Sequence, residues 1–189
     1  TMYLLAGYAI GYLLSFTMPQ LLTYFTLEPA LILKGQVWRL LSWVIIPPND
    51  NIIFVIFMML LYYSLGNTLE NYWGAFRYNV YIFSGILFTV IGAFIVNGLI
   101  GGVTGFGSLY STYYINMSIF LACASIMPDY QLLLYGIIPV KMKWLAILDV
   151  VLLAVDAVQG GLIIRIVIIA SLLNFIIFFF FFQIIYFSY

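Results

Sequence analysis

Apolar residues in this chain come in long blocks, and polar, proline and glycine positions mark where one block stops and the next begins. About 20 apolar residues carry an α-helix across a bilayer, and six blocks approach that length: 2–25, 52–73, 78–96, 108–127, 142–157 and 162–186. The pattern predicts an all-α integral membrane bundle of six transmembrane helices, folded as a single domain over residues 1–189. An even number of crossings places both termini on the same side.

The joints between blocks carry more information than the blocks. The first block contains Gly7-Tyr8-Ala9-Ile10-Gly11, a face of small residues suited to helix contact, and Pro19 is expected to kink or end it. Between 26 and 51 the character changes: Glu28, Lys34, Arg39 and Asp50 gather with Pro29, Pro47 and Pro48 among tryptophans and aliphatics. This interval predicts a structured interfacial loop with one or two short amphipathic helices. The interval 97–107 holds five glycines and no charge, the composition of a flexible connection. In the fourth block Ser111, Thr112, Asn116, Ser118, Ala122 and Ser125 predict a helix surrounded by other helices rather than by lipid, and Pro128 breaks it. The fifth block, of only about 16 residues, fits a locally thinned bilayer. The run Phe178 to Phe182 reads as lipid-facing aromatic bulk.

Composition hardens the membrane reading. Only 6% of the residues are charged and 66% are hydrophobic, with a mean hydropathy of +1.19, whereas soluble domains carry about 25% charged residues. The lipid bilayer is therefore the first expected partner. Six basic and six acidic residues cancel, which removes the electrostatic case for nucleic acid. The lone Cys123 offers no disulfide framework. Histidine is absent, which excludes His-based proton transfer and His metal ligation within the chain. No cofactor is called for. The chain starts at Thr1 without a charged stretch ahead of the first block, so that block is not expected to be a signal peptide. Arg77, Lys141 and Lys143 fall on one side, with the termini, and Lys34, Arg39 and Arg165 on the other. That balance tips slightly toward cytoplasmic termini.

Three polar residues lie inside the blocks. Asp149, midway along the fifth, is either a functional site or a structural carboxylate bonded to a neighbouring helix. Asn116 in the fourth block and Asn174, with Ser171, in the sixth are candidates for a bonded seam between helices. Asp156 and Arg165 flank a short turn and predict an ion pair closing that hairpin. Glu70 and Arg77 sit near one helix end, where they can pair across the turn.

Gly35-Gln36-Val37-Trp38-Arg39-Leu40-Leu41-Ser42 resembles the first-loop signature of the rhomboid superfamily, which typically reads G-x-x-W-R-L-x-T. Gly66, Glu70 and Gly74, spaced by four, share a helix face and resemble that superfamily's second-helix motif. The Pro128 break followed by Gly136-Ile137-Ile138-Pro139-Val140 looks like the connection into the rhomboid fifth helix. The resemblance implies a rhomboid-like bundle, with Trp38 and Arg39 anchoring the first loop and the Gly66, Glu70 and Gly74 face clamping the second helix against its neighbours.

It also implies where catalytic residues belong, and there this chain departs. The second-helix histidine and asparagine positions fall on Phe54 and Met58, the first-loop histidine on Pro47, and the fourth-helix serine near Tyr113. No G-x-S-G string exists; the nearest, Gly105-Phe106-Gly107-Ser108, has the wrong order. A serine without a positioned base is a poor nucleophile, and Lys141 and Lys143 belong to the opposite face from the expected site. The expectation is an inactive rhomboid-like pseudoprotease, similar in logic to the derlins. Such a protein recognises other membrane proteins or transmembrane helices, as in membrane protein quality control. Two alternatives stand beside it: a transporter or channel using Asp149, Asn116 and Asn174, and a structural subunit of a membrane complex. Phe54, Tyr113 and the middle of the sixth block are expected to converge on an apolar plug.

Overall fold

The computed structural model describes residues 2–46, 52–134 and 138–186, with side chains except those of 52–54, 133–134, 138 and 181–186. Helix α1 (Met2–Thr17) is followed by the short turns α2 (Pro19–Leu22), α3 (Pro29–Ile32) and α4 (Arg39–Ser42), and by a 3-10 turn at Trp43–Ile45. Then come α5 (Ile52–Trp73), α6 (Ala75–Leu99), a 3-10 turn at Gly107–Leu109 and α7 (Tyr113–Ile126). A small hairpin, β1 (Gln131–Leu134) and β2 (Ile138–Lys141), leads into α8 (Met142–Gln159) and α9 (Leu162–Tyr186).

Helices dominate because apolar surroundings leave backbone amides and carbonyls no partner outside the chain. Ala75–Leu99 and Leu162–Phe180 are long and apolar enough to cross a bilayer. Three of the other long helices fall short of that measure, for separate reasons. At 1.5 Å per residue, the 16 residues of α1 reach about 24 Å and the 14 of α7 about 21 Å. Helix α8 carries Lys143, Asp149 and Asp156. Helix α5 is apolar in its first half and gathers Ser64, Asn67, Thr68, Glu70 and Asn71 toward its end.

Helix α7 is the axis of the packing. It touches α5, α6, α8 and α9, and its Ile115, Asn116, Ser118, Ile119, Leu121 and Ala122 are all buried. The small, polar fourth block therefore does lie among helices. Helix α9 runs along α6 and also packs on α7 and α8. Near its end Phe178 meets Trp73 and Tyr81, each at a ring separation of 5.0 Å. Phe178 is 8% exposed, which corrects its reading as lipid-facing. It is buried because Trp73 and Tyr81 form a slot at the α5–α6 turn.

The first loop is a folded object. Arg39 is buried and its guanidinium donates to the carbonyls of Thr23 and Thr26, both at 2.9 Å, and to Gln36 Oε1 at 2.7 Å. Trp38 stays half exposed while its indole donates to the Tyr24 carbonyl at 3.2 Å. Trp43 is fully buried. The small face of α1 receives this loop: a Cβ on Gly11 would fall on the Ile45 carbonyl.

The Gly-rich connection is likewise held. Buried Glu28 accepts from the amides of Gly105 at 2.9 Å and Gly107 at 2.8 Å through one carboxylate oxygen. This corrects the expectation of a flexible link, because the glycines bring backbone donors to a carboxylate that needs them. The loop after α1 and the loop after α6 thus lie at the same end of the bundle.

The hairpin also departs from expectation. β1 and β2 pair antiparallel from Gln131–Lys141 to Leu134–Ile138, and Asp129 beside them receives Lys141 at 3.2 Å and Lys143 at 3.0 Å. The two lysines hold the exposed Asp129 carboxyl below its ordinary value.

Candidate functional site

Helices α5 and α8 both pack on α7 and, among the described residues, share few contacts with each other. Around the start of α7 lie buried polar groups that no local structure explains: Thr112, Asn116 and, on α8, Asp149. Asn116, one turn into α7, faces α1: its amide donates to the Tyr8 hydroxyl at 3.2 Å, and that hydroxyl lies 3.3 Å from Asn116 Oδ1. Thr112 sits near the same hydroxyl, its Oγ1 buried without a well-formed hydrogen bond among the described residues. A cavity the size of about one water lies between Leu4, Leu5, Tyr8, Tyr62 and Asn116.

Asp149 closes the α8 side. It is 6% exposed, and its Oδ2 has no hydrogen-bond partner among the described residues. It lies within electrostatic reach of Tyr62 on α5 and of Tyr113 at the start of α7. Asp156, two turns further along the same face of α8, reaches Tyr113 and Tyr114. The arrangement offers acceptors and hydroxyls at the edge of an apolar bundle. It can bind a donor or a cation. Among the described residues no cluster of His, Cys, Asp and Glu could hold a metal ion.

Asn174 belongs elsewhere. Its Nδ2 donates to the Tyr81 carbonyl at 3.1 Å and its Oδ1 accepts from Ser84 at 2.6 Å, which stitches α9 to α6. Among the described residues Ser171 bonds only the Ile168 carbonyl of its own helix. Tyr81 in turn donates to Ser118 of α7 at 3.0 Å. The two asparagines were expected to mark one seam between their helices; they mark two, because each faces a different neighbour.

Gly66 is buried within α5 and Glu70 is half-buried on the same helix. Gly74 is not on that helix: its φ of +82° ends α5 and opens α6, so it makes a turn rather than a packing face. Met58 is half-buried on α5, and Tyr113 is the first residue of α7 with its ring edge-on to Tyr114 at 5.1 Å. Pro47 lies outside the described residues, and so does the side chain of Phe54. Tyr113 faces carboxylates rather than an apolar plug, because α8 turns Asp149 and Asp156 inward. Among the described residues, Arg165 donates to the carbonyls of Ala157 at 2.8 Å and Val158 at 3.4 Å instead of pairing with Asp156. It thereby caps the C-terminus of α8, where a cation is favoured. Sequence reasoning missed Tyr8, Tyr62 and the Glu28 latch. Only the oddity of an acid beside Pro29 hinted at the last.

Long apolar helices and a polar interior define an integral membrane protein. The family model described as "Eukaryotic integral membrane protein (DUF1751)" matches residues 2–187, and the chain belongs to that family. No curated protein and no solved structure matches it.

Proposed function

We propose that this chain is a catalytically inactive rhomboid-like protein that receives transmembrane helices of other membrane proteins without cutting them. One observation carries the reading: among the described residues α7 packs against both α5 and α8, which share few contacts with each other. A partner helix enters, in this reading, sideways from the bilayer by parting α5 from α8. In this reading α1, α5, α6, α7, α8 and α9 are six spans, their termini on the cytoplasmic side. The folded first loop, tied by Arg39, supports the likeness of its W-R string to the rhomboid signature. Inactivity follows from chemistry: the chain has no histidine, and Tyr113 stands where the resemblance places the nucleophile.

The test uses the purified protein in liposomes with a labelled single-span model protein. A photoreactive residue at Tyr62 or Leu148 is expected to crosslink the model helix, with no cleavage product. Cleavage by the purified protein overturns the inactive assignment, and absence of crosslinks at both positions overturns reception between α5 and α8.

A further inference from the structure

Among the described residues no cation answers Asp149. Of the six basic residues, Arg39 is committed to first-loop carbonyls, Lys141 and Lys143 to Asp129, and Arg165 to the end of α8. Arg77 is engaged near the start of α6, and Lys34 lies in the first loop. Yet Asp149 is buried, its Oδ2 unpartnered among the described residues, and Asp156 lies one heptad along α8 on the same face. The opposite face of α8 is aliphatic and exposed, with Ile147, Leu148, Val151 and Val155. A partner for this carboxylate must arrive through hydrocarbon with its charge or donor carried on an apolar body. A transmembrane helix with a basic side chain meets that description, and a hydrated ion does not.

Resting on the reception of helices proposed above, we infer that Asp149 selects clients, favouring a transmembrane helix that carries a lysine or arginine near mid-span. The basic group docks between α5 and α8 against the Asp149 carboxylate, with the Tyr62 and Tyr113 hydroxyls as further acceptors. Ordinary apolar helices lack the complement and dock more weakly.

The experiment compares Leu/Ala-based model helices with lysine, asparagine or leucine at the central position. Each is co-reconstituted with the full chain bearing a photoreactive residue at Leu148. The lysine helix is expected to crosslink about three- to tenfold more than the leucine helix, the range interhelical polar contacts support. Asp149→Asn, matched in size, should lower lysine capture to the leucine level while leaving leucine capture unchanged. Asp149→Glu should retain the preference, and a preserved far-UV circular dichroism spectrum shows that either variant folds. Equal capture of lysine and leucine helices by the parent protein overturns the selection, and so does lysine capture that survives Asp149→Asn. Should no helix crosslink at all, the broader reading of helix reception fails first, and the selection falls with it.

Discussion

Replacing Glu28 tests how the two loops at one end of the bundle are held. Its carboxylate accepts two amides, Gly105 at 2.9 Å and Gly107 at 2.8 Å. Hydrogen bonds to a charged group contribute about 1.5–3 kcal/mol each, and a buried donor left bare costs about 1–3 kcal/mol. Glu28→Ala, which strands both donors, should therefore destabilise by about 3–5 kcal/mol. Glu28→Gln keeps an acceptor but not the charge and should cost about 1–2 kcal/mol, since neutral bonds are about half as strong. The opposite side of the latch gives an independent handle. A Cβ on Gly107 would lie 2.8 Å from Glu28 Cγ and 2.9 Å from Thr26 Cβ, so Gly107→Ala forces the same contact apart at about 1–3 kcal/mol. Because both changes break one latch, the double variant should cost at least about 1 kcal/mol less than the sum. The assay is unfolding in mixed micelles followed by circular dichroism, with Trp38 and Trp43 fluorescence reporting the first loop. Glu28→Ala within about 0.5 kcal/mol of the parent would refute the latch, since that is the range of an uninvolved surface site. Strict additivity in the double variant would refute it too.

Other perturbations probe the remaining contacts. Gly11→Ala places a methyl on the Ile45 carbonyl and should cost about 1–3 kcal/mol in the same unfolding assay; an unchanged midpoint would mean the first loop does not rest on α1. Asn174→Ala removes the bonds to Ser84 and the Tyr81 carbonyl and should cost about 1–3 kcal/mol, whereas Ser171→Ala should be nearly silent. For Asp129 the sign is definite: its folded pKa lies below the ordinary 3.8, so the tie to Lys141 and Lys143 is intact above that value and lost as pH falls through the lower, folded one. Hydrogen exchange across 129–143 should rise at that acid step in the parent and show no such step in Asp129→Asn.

Much of the helical frame was legible because lipid leaves few ways to misread an apolar block. Helix α5 begins and ends at the limits read from the sequence, and α8 and α9 do so within two residues. What stayed hidden depended on contacts far apart in the chain. Gly74 matches a helical spacing of four, but spacing cannot reveal that the backbone turns to positive φ there. The hairpin was invisible because Leu132, Leu133 and Leu134 give a continuous apolar run without the alternation that marks a half-buried strand. Glu28 finds its partners 77 and 79 residues away. The polar site was half legible: Asp149, Asn116 and Tyr113 stood out individually, but only packing shows Asp149 facing Tyr62 while Asn174 turns to α6.

The rhomboid-like reading stands on six crossings, and cysteine accessibility in sealed vesicles tests that most directly. In a Cys123→Ala background, single cysteines at Lys34, Gly102 and Gly160 are predicted to react with an impermeant reagent from one face of the membrane. Cysteines at Gly74 and Asp129 are predicted to react only from the other. Labelling of Gly102 and Asp129 from the same face would contradict the account.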